Sequence, residues 1–267
     1  MRSVVSTWRA QPGRGVDVAA AAPAWRASVV PAAIVGAWLI TLVAQGTGNA
    51  ALLHHHALIE GGPPVWVAVP LFLVAWQVMI AAMMLPASLP TIRVVEAAIR
   101  KLAQPLRAEA TFLGAFALVW TVFGLLAFMG DVALHHLVDA MPWLAARPWL
   151  VEASVVVLAG AYQLAPLKRR SLARCRHPVD RSSVFAKRRD AFERGIDHGR
   201  TCLASSWALM LLVFAEGFAS LGWMIALTGV MVYETSGRLG QRSATVAGVL
   251  LLVVGAAILL RGLGAAA

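Results

Sequence analysis

Charged residues are scarce in this chain of 267 residues: only 13% are Asp, Glu, Lys or Arg, against roughly 25% in soluble domains. Hydrophobic residues make up 60% of the sequence. A soluble core cannot bury that much apolar surface, so the composition excludes an ordinary soluble globular domain. The low charge predicts an integral membrane protein.

The sequence also lacks the ten-residue alternation of polar and apolar residues that marks a barrel strand. Only helices and closed barrels satisfy the backbone inside lipid, so this absence leaves helices. A helix needs about 20 apolar residues to cross a bilayer. Long runs that are nearly free of charge lie at 29–53, 65–86, 110–130, 149–167, 201–233 and 243–260.

The run at 201–233 is too long for one span and short for two, and Glu216-Gly217 lies near its middle. We interpret it as a tight hairpin of two short helices. The expected fold is all-α, a polytopic transmembrane helical bundle at 29–262 with about seven spans. A basic cytoplasmic tail at 1–28, with four arginines, is expected to be mobile.

Basic residues are almost absent from alternate segments between the runs. The segments 54–64 and 131–148 hold only Arg147, whereas 168–200 holds eleven Lys and Arg residues. Cytoplasmic loops carry an excess of Lys and Arg, so this asymmetry predicts a cytoplasmic N-terminus and a cytoplasmic basic loop at 168–200. The predicted location is the bacterial cytoplasmic (inner) membrane.

The net charge of +10 would suit nucleic acid, but the basic loop at 168–200 has only Phe185 and Phe192 as aromatics and no recognisable nucleic-acid motif. We therefore expect no nucleic-acid partner. The basic residues are expected to set the topology and to contact anionic lipid of the bilayer. A membrane or cytoplasmic protein docking on this loop is a further expected partner.

Cysteine is nearly absent too, since Cys175 and Cys202 are the only two. Both lie on the predicted cytoplasmic, reducing side, so a structural disulfide is not expected. The sequence has no Walker loop, dinucleotide fingerprint, HExxH motif or nucleophile elbow. It therefore gives no positive signal for an enzyme.

A methionine pair is the first feature that points to chemistry. Met79 and Met83 are four residues apart and share one helix face at the predicted cytoplasmic end of the second run. Two thioethers suit a soft metal such as Cu(I). The alternative is that these methionines fill gaps between packed helices.

A stripe of residues at intervals of four opens the fifth run and consists of His198, Cys202, Ser206 and Met210. Imidazole, thiol and thioether together suit Cu(I) or Zn²⁺. The alternative is helix packing through small residues, capped by an interfacial histidine. Under the predicted topology this stripe and the methionine pair lie at the same membrane depth.

Acidic residues and histidines form the remaining candidates. A charge at a helix centre costs roughly 2.5–3.5 kcal/mol in lipid, so neither Glu216 nor Glu234 should face the bilayer. Glu234 either joins the metal site or lies at the interface beside Arg238. Histidines at 54–56 and 135–136 fall on the predicted external side, where they either capture a metal or are simply polar.

Three motifs reproduce a known pattern. W-x-x-M-x-x-A-M-M-x-P is matched at 76–86, most of Y-Q-L-x-P-L-K-x-x-C-L-x-x-C-R-x-P at 162–178, and most of H-G-x-x-C-x-G-C-C-W-x-L-M at 198–210. On these residues the chain resembles a bacterial family named domain of unknown function 2182, described as predicted metal-binding integral membrane proteins. The resemblance implies a helical membrane protein with a metal site.

The chain departs from this pattern at cysteine positions. Ser171, Ser205 and Ser206 stand where the family pattern has cysteine, and Ala204 replaces a glycine. A hydroxyl is a poor substitute for a thiolate toward a soft metal. The resemblance then implies either a site built on His, Met and Glu with Cys202, or a member that keeps the fold and has lost affinity.

The leading hypothesis is a membrane protein that binds copper, or zinc, and acts in metal handling or in assembly of another membrane complex. The predicted ligands are Met79, Met83, His198, Cys202, Met210 and Glu234. The second hypothesis is a metal-free scaffold that docks a partner through the basic loop. A transporter is the third hypothesis. It ranks below the other two because a transporter needs a polar route through the bilayer and the spans hold few polar residues.

Overall fold

Helices make up the structure, a computed structural model that describes residues 29–47, 63–100, 102–176, 188–216 and 221–266. These ranges contain no strand, which confirms the all-α prediction. The tail at 1–28 and the histidines at 54–56 lie outside them. The helices described are α1 Val29–Gly46, α2 Val65–Ile99, α3 Pro105–Ala140, α4 Pro142–Ala145, α5 Pro148–Leu164, α6 Pro166–Arg176, α7 Arg188–Glu216, α8 Leu221–Ser236 and α9 Gly240–Ala266.

Proline marks the start of four consecutive helices, α3 to α6. Its fixed φ suits the first helical turn, where its missing N–H has no intrahelical partner to lose. Helices α5 and α6 are long and apolar enough for a membrane span only when taken together. They are bent by 62° at the break between Leu164 and Pro166. The bend turns the short α6 away from the axis of α5.

Among the residues that the structure describes, three helices are long and apolar enough to cross a membrane: Trp66–Ile99 in α2, Pro105–Ala140 in α3 and Gly240–Ala265 in α9. The bent pair of α5 and α6 makes a fourth if it is one span. The expected count of about seven spans is therefore not confirmed.

The hairpin expected at 201–233 is present in altered form. Helix α7 ends at Glu216 and α8 begins at Leu221, on either side of residues 217–220, which lie outside the described ranges. However, α7 begins at Arg188, well before the apolar run. The first arm of the hairpin is therefore a long helix whose N-terminal part is polar.

The segment 168–200, expected to be a loop, is helical at both of its ends. Helix α6 buries Leu172 and Cys175 on one face, while Arg170 and Arg174 are exposed on the other. A surface helix needs only one apolar face, so its charges interrupt the hydrophobic run without interrupting the helix. Residues 177–187 lie outside the described ranges.

Helix α2 contributes many side chains to the main core cluster and packs against α3. The Trp76 indole is fully buried and donates to the Trp120 backbone oxygen at 2.8 Å. A Cβ at Gly124 would lie 2.6 Å from the Trp76 indole nitrogen, so this position must remain small for the indole to fit. The close contact sets the register of α2 on α3.

Candidate metal site

Several sulfur-containing side chains are buried in the main core cluster. Met79 and Met83 of α2 and Cys202 and Met210 of α7 are all buried in the same cluster. Met84 of α2 is buried there too, although the sequence analysis did not select it. The structure thus brings four of the six predicted ligands into one core and adds a third methionine from the α2 motif.

Cys202 lies among small polar groups that link it to α2. The Ser88 hydroxyl oxygen is 3.9 Å from the Cys202 sulfur. The Ser206 hydroxyl lies 2.8 Å from the Cys202 carbonyl oxygen and 3.6 Å from the Met84 sulfur. One serine therefore contacts both a cysteine residue and a methionine thioether, which places these two soft ligands in the same neighbourhood.

Ser205 lies between the two cysteine residues of the chain. Its hydroxyl is 3.9 Å from the Cys175 sulfur and donates to the Cys202 carbonyl oxygen at 2.8 Å. Ser205 and Ser206 are the positions where the resembled pattern has cysteine. A thiol at either position would therefore lie against a residue that already carries sulfur.

Trp120 of α3 also borders this group. Its indole nitrogen is buried near the Cys202 thiol and has no hydrogen-bond partner among the described residues. A buried donor without an acceptor is costly. A thiolate at Cys202 would provide an acceptor for this N–H.

His198 lies one helical turn before Cys202 and is buried between two aromatic rings. Its imidazole stacks on Phe116 at a centroid distance of 5.4 Å and on Phe112 at 5.9 Å. Both phenylalanines come from α3, so the histidine packs across the interface between α3 and α7. The observed geometry gives it a packing role.

Glu234 is held by polar groups of other helices. Its carboxylate pairs with the Lys168 ammonium at 2.6 Å and accepts from the Gln163 amide at 2.8 Å. Lys168 also donates to the Ser205 backbone oxygen. The interfacial pairing with Arg238, an alternative in the sequence analysis, is replaced by this buried network. Lys168 was not predicted as a partner of Glu234, although it belongs to the second motif. A lysine directly after an apolar run was the sequence feature that could have indicated a buried cation.

Within the described ranges, no three His, Cys, Asp or Glu side chains are grouped so that they could hold a metal ion. A zinc centre with four such ligands therefore has no counterpart there. Thiol and thioether ligands remain, and these select Cu(I) among common biological metals.

The structure defines a class of all-helical proteins in which helices of membrane-crossing length pack around buried cysteine and methionine side chains. The chain belongs to the PpoB2 family, described as copper chaperones, which matches residues 73–258. This range includes all six predicted ligands. The match fits the expected type of family, a metal-related membrane family, although the family's name differs from the one expected. No curated protein and no solved structure gives a significant match.

Proposed function

We propose that this protein is an integral membrane copper chaperone that carries Cu(I) as cargo in the bacterial cytoplasmic membrane. It serves copper handling or the assembly of another membrane complex. The family membership supports the copper chemistry, and the apolar helices support the membrane location. The N-terminus is proposed to be cytoplasmic, on the strength of the basic residues.

The proposed site is the sulfur cluster around Cys202 and Met84. The observation that carries it is the Ser206 contact, which joins the Cys202 backbone to the Met84 sulfur across α7 and α2. Copper binding would deprotonate the thiol, since the thiolate is the ligand. The Trp120 N–H would then donate to that sulfur and orient it.

The other predicted ligands differ in how readily they would join. Met79, Met83 and Met210 are buried in the same core cluster. Their thioethers are proposed as further ligands for Cu(I) when it enters or leaves the site. His198 would have to leave its phenylalanine stack, and Glu234 would have to leave Lys168. We therefore propose the sulfur residues as the primary ligands.

Anaerobic Cu(I) titration of purified protein against a chromophoric Cu(I) chelator tests this site. We expect binding near one equivalent, weakened about tenfold or more, equivalent to ~1.4 kcal/mol, by Cys202→Ser and by Met84→Leu. Met129→Leu is the matched control, because Met129 is 67% exposed on α3. Copper binding that is equal in all four proteins would reject the site.

A gain-of-function variant makes the same test from the opposite direction. Ser206→Cys adds a thiol beside Cys202 and Met84, so we expect tighter Cu(I) binding than in the natural sequence. Ser154→Cys adds a thiol at an exposed position of α5 and should leave that affinity unchanged. Equal affinities in the two variants would contradict the assignment.

Helix α6 supports the proposed contact with anionic lipid. Arg169, Arg170 and Arg174 are exposed on it, and Leu167 beside them is 57% exposed. A basic surface with an apolar residue suits the headgroup region of an anionic leaflet. The metal-free scaffold remains the alternative function, and it predicts partner co-purification that depends on 168–200 and no copper in the purified protein.

A further inference from the structure

A cavity of about 660 Å³ opens in the helical bundle. It lies between the C-terminal half of α3, the first turns of α5 and the last turns of α7. Its volume falls within the roughly 300–1,000 Å³ typical of ligand pockets. Most of its lining is apolar, including Phe123, Leu126, Val155, Trp207, Leu211 and Phe214.

The charged residues of the cavity are all supplied by α3. Asp131, His135 and Asp139 follow at intervals of four and form one stripe along the helix. The His135 ring lies 3.5 Å from the Asp131 carboxylate and 2.9 Å from the Asp131 carbonyl oxygen. No Lys or Arg is among the lining residues, so this end of the cavity is acidic.

The helix backbone adds to the negative potential at this end. Helix α3 ends at Ala140, and its last turn contains no basic residue. The C-terminus of a helix carries partial negative charge, so Asp139 in the last turn is an unfavourable companion for it. A cation bound there would offset the negative charge of Asp139 and the partial negative charge of the helix C-terminus.

We propose that this cavity binds an ethanolamine phospholipid, with an acyl chain against the apolar lining and the ammonium group in the acidic end that Asp131 and Asp139 border. The apolar walls provide the surface that a hydrocarbon chain needs. The acidic end complements an ammonium group and repels an anionic headgroup. The cavity thus selects one class of membrane lipid independently of copper.

Native mass spectrometry of the whole protein, reconstituted with defined lipids, tests the proposal. We expect retention of phosphatidylethanolamine over phosphatidylglycerol by about tenfold, equivalent to ~1.4 kcal/mol. The double variant Asp131→Asn/Asp139→Asn should lose that preference. Glu152→Gln, an exposed carboxylate on α5 outside the cavity lining, is the matched control and should keep it.

A cavity-filling variant locates the bound lipid. Ala127→Trp should remove retained phosphatidylethanolamine by occupying the apolar part, while the helical circular dichroism and the Cu(I) stoichiometry stay unchanged. Equal retention of the two lipids by the natural protein would overturn the proposal. Retention that persists in Ala127→Trp, or a preference unaltered by the aspartate variants, would overturn it as well, whatever the copper titration shows.

Discussion

Lys168 carries its ammonium group into the bundle interior, where it lies 2.6 Å from the Glu234 carboxylate. Both residues are only 1% exposed. Each buried ion costs several kcal/mol of desolvation, and the attraction offsets this cost only when the remaining polar atoms are also bonded. Gln163 and the Ser205 carbonyl oxygen provide those bonds. The network ties α6 to α5, α7 and α8.

Removing one charge of this pair should be worse than removing both. Lys168→Met leaves the Glu234 carboxylate buried without its cation, so we expect a loss of about 3–5 kcal/mol of unfolding free energy. Glu234→Leu should cost a similar amount, and the double variant should cost less than either single variant. Thermal unfolding in detergent, followed by circular dichroism, measures these values.

Arg189→Met is the control for that cycle, because Arg189 pairs with Glu193 at 2.9 Å but is 85% exposed. Exposed pairs are worth roughly 0–1 kcal/mol, so little change is expected there. Strictly additive effects of the Lys168 and Glu234 substitutions would show that the two groups do not interact.

At the scale of elements, glycine allows α5 and α9 to pack backbone to backbone. A Cβ at Gly160 would lie 2.9 Å from the Gly248 carbonyl oxygen and 2.9 Å from the Leu252 nitrogen. A Cβ at Gly255 would lie 2.6 Å from the Val157 side chain. Small residues are the usual way in which membrane helices approach this closely. The seam keeps α5, and with it Gln163, in position.

Gly160→Ala should destabilise the protein, because the added methyl group meets backbone atoms that cannot turn away. We expect a loss of about 1–3 kcal/mol, the usual cost of overpacking. Gly114→Ala on α3 is the matched control, since nothing lies within 4 Å of its added Cβ. That variant should gain up to about 1 kcal/mol from helix propensity. A neutral Gly160→Ala in the same unfolding assay would refute the packing argument.

At the scale of the molecule, the directions of α3 and α7 bring the basic residues at their N-terminal ends to one end of the bundle. Gly195 of α7 lies against Phe112 of α3, and Gly199 lies against Val119, so α3 and α7 run parallel. The N-terminal ends of both helices therefore share one end of the bundle. Arg107 at the start of α3 and Arg189 at the start of α7 therefore lie towards the same end of the bundle.

Single cysteines introduced at opposite ends test the sides directly. In a background of Cys175→Ser and Cys202→Ser, we expect a membrane-impermeant maleimide to label Trp143→Cys in spheroplasts but not Arg170→Cys. Trp143 is exposed on α4 and Arg170 is exposed on α6. Inverted vesicles should reverse the pattern. Labelling of Arg170→Cys from outside would invert the proposed orientation.

Some of the site was predictable and some was not. The intervals of four that made Met79 and Met83 candidates depend on helix geometry alone, and both are buried in one core with Cys202. Met84 was not predicted because it is not four residues from Met79 or Met83 and so does not share their helix face. Only the packing of α7 on α2 brings its sulfur to Ser206. Lys168 was counted as a loop charge, since its partner is 66 residues away.

The sequence by itself determined that the chain is helical and apolar, because unbroken hydrophobic runs with few charges leave the backbone no other way to satisfy its hydrogen bonds in lipid. Only the tertiary structure decided which polar groups meet. Glu234 pairs with Lys168, and Met79, Met83, Cys202 and Met210 are buried in one core cluster, because helix packing brings together side chains that are far apart along the chain.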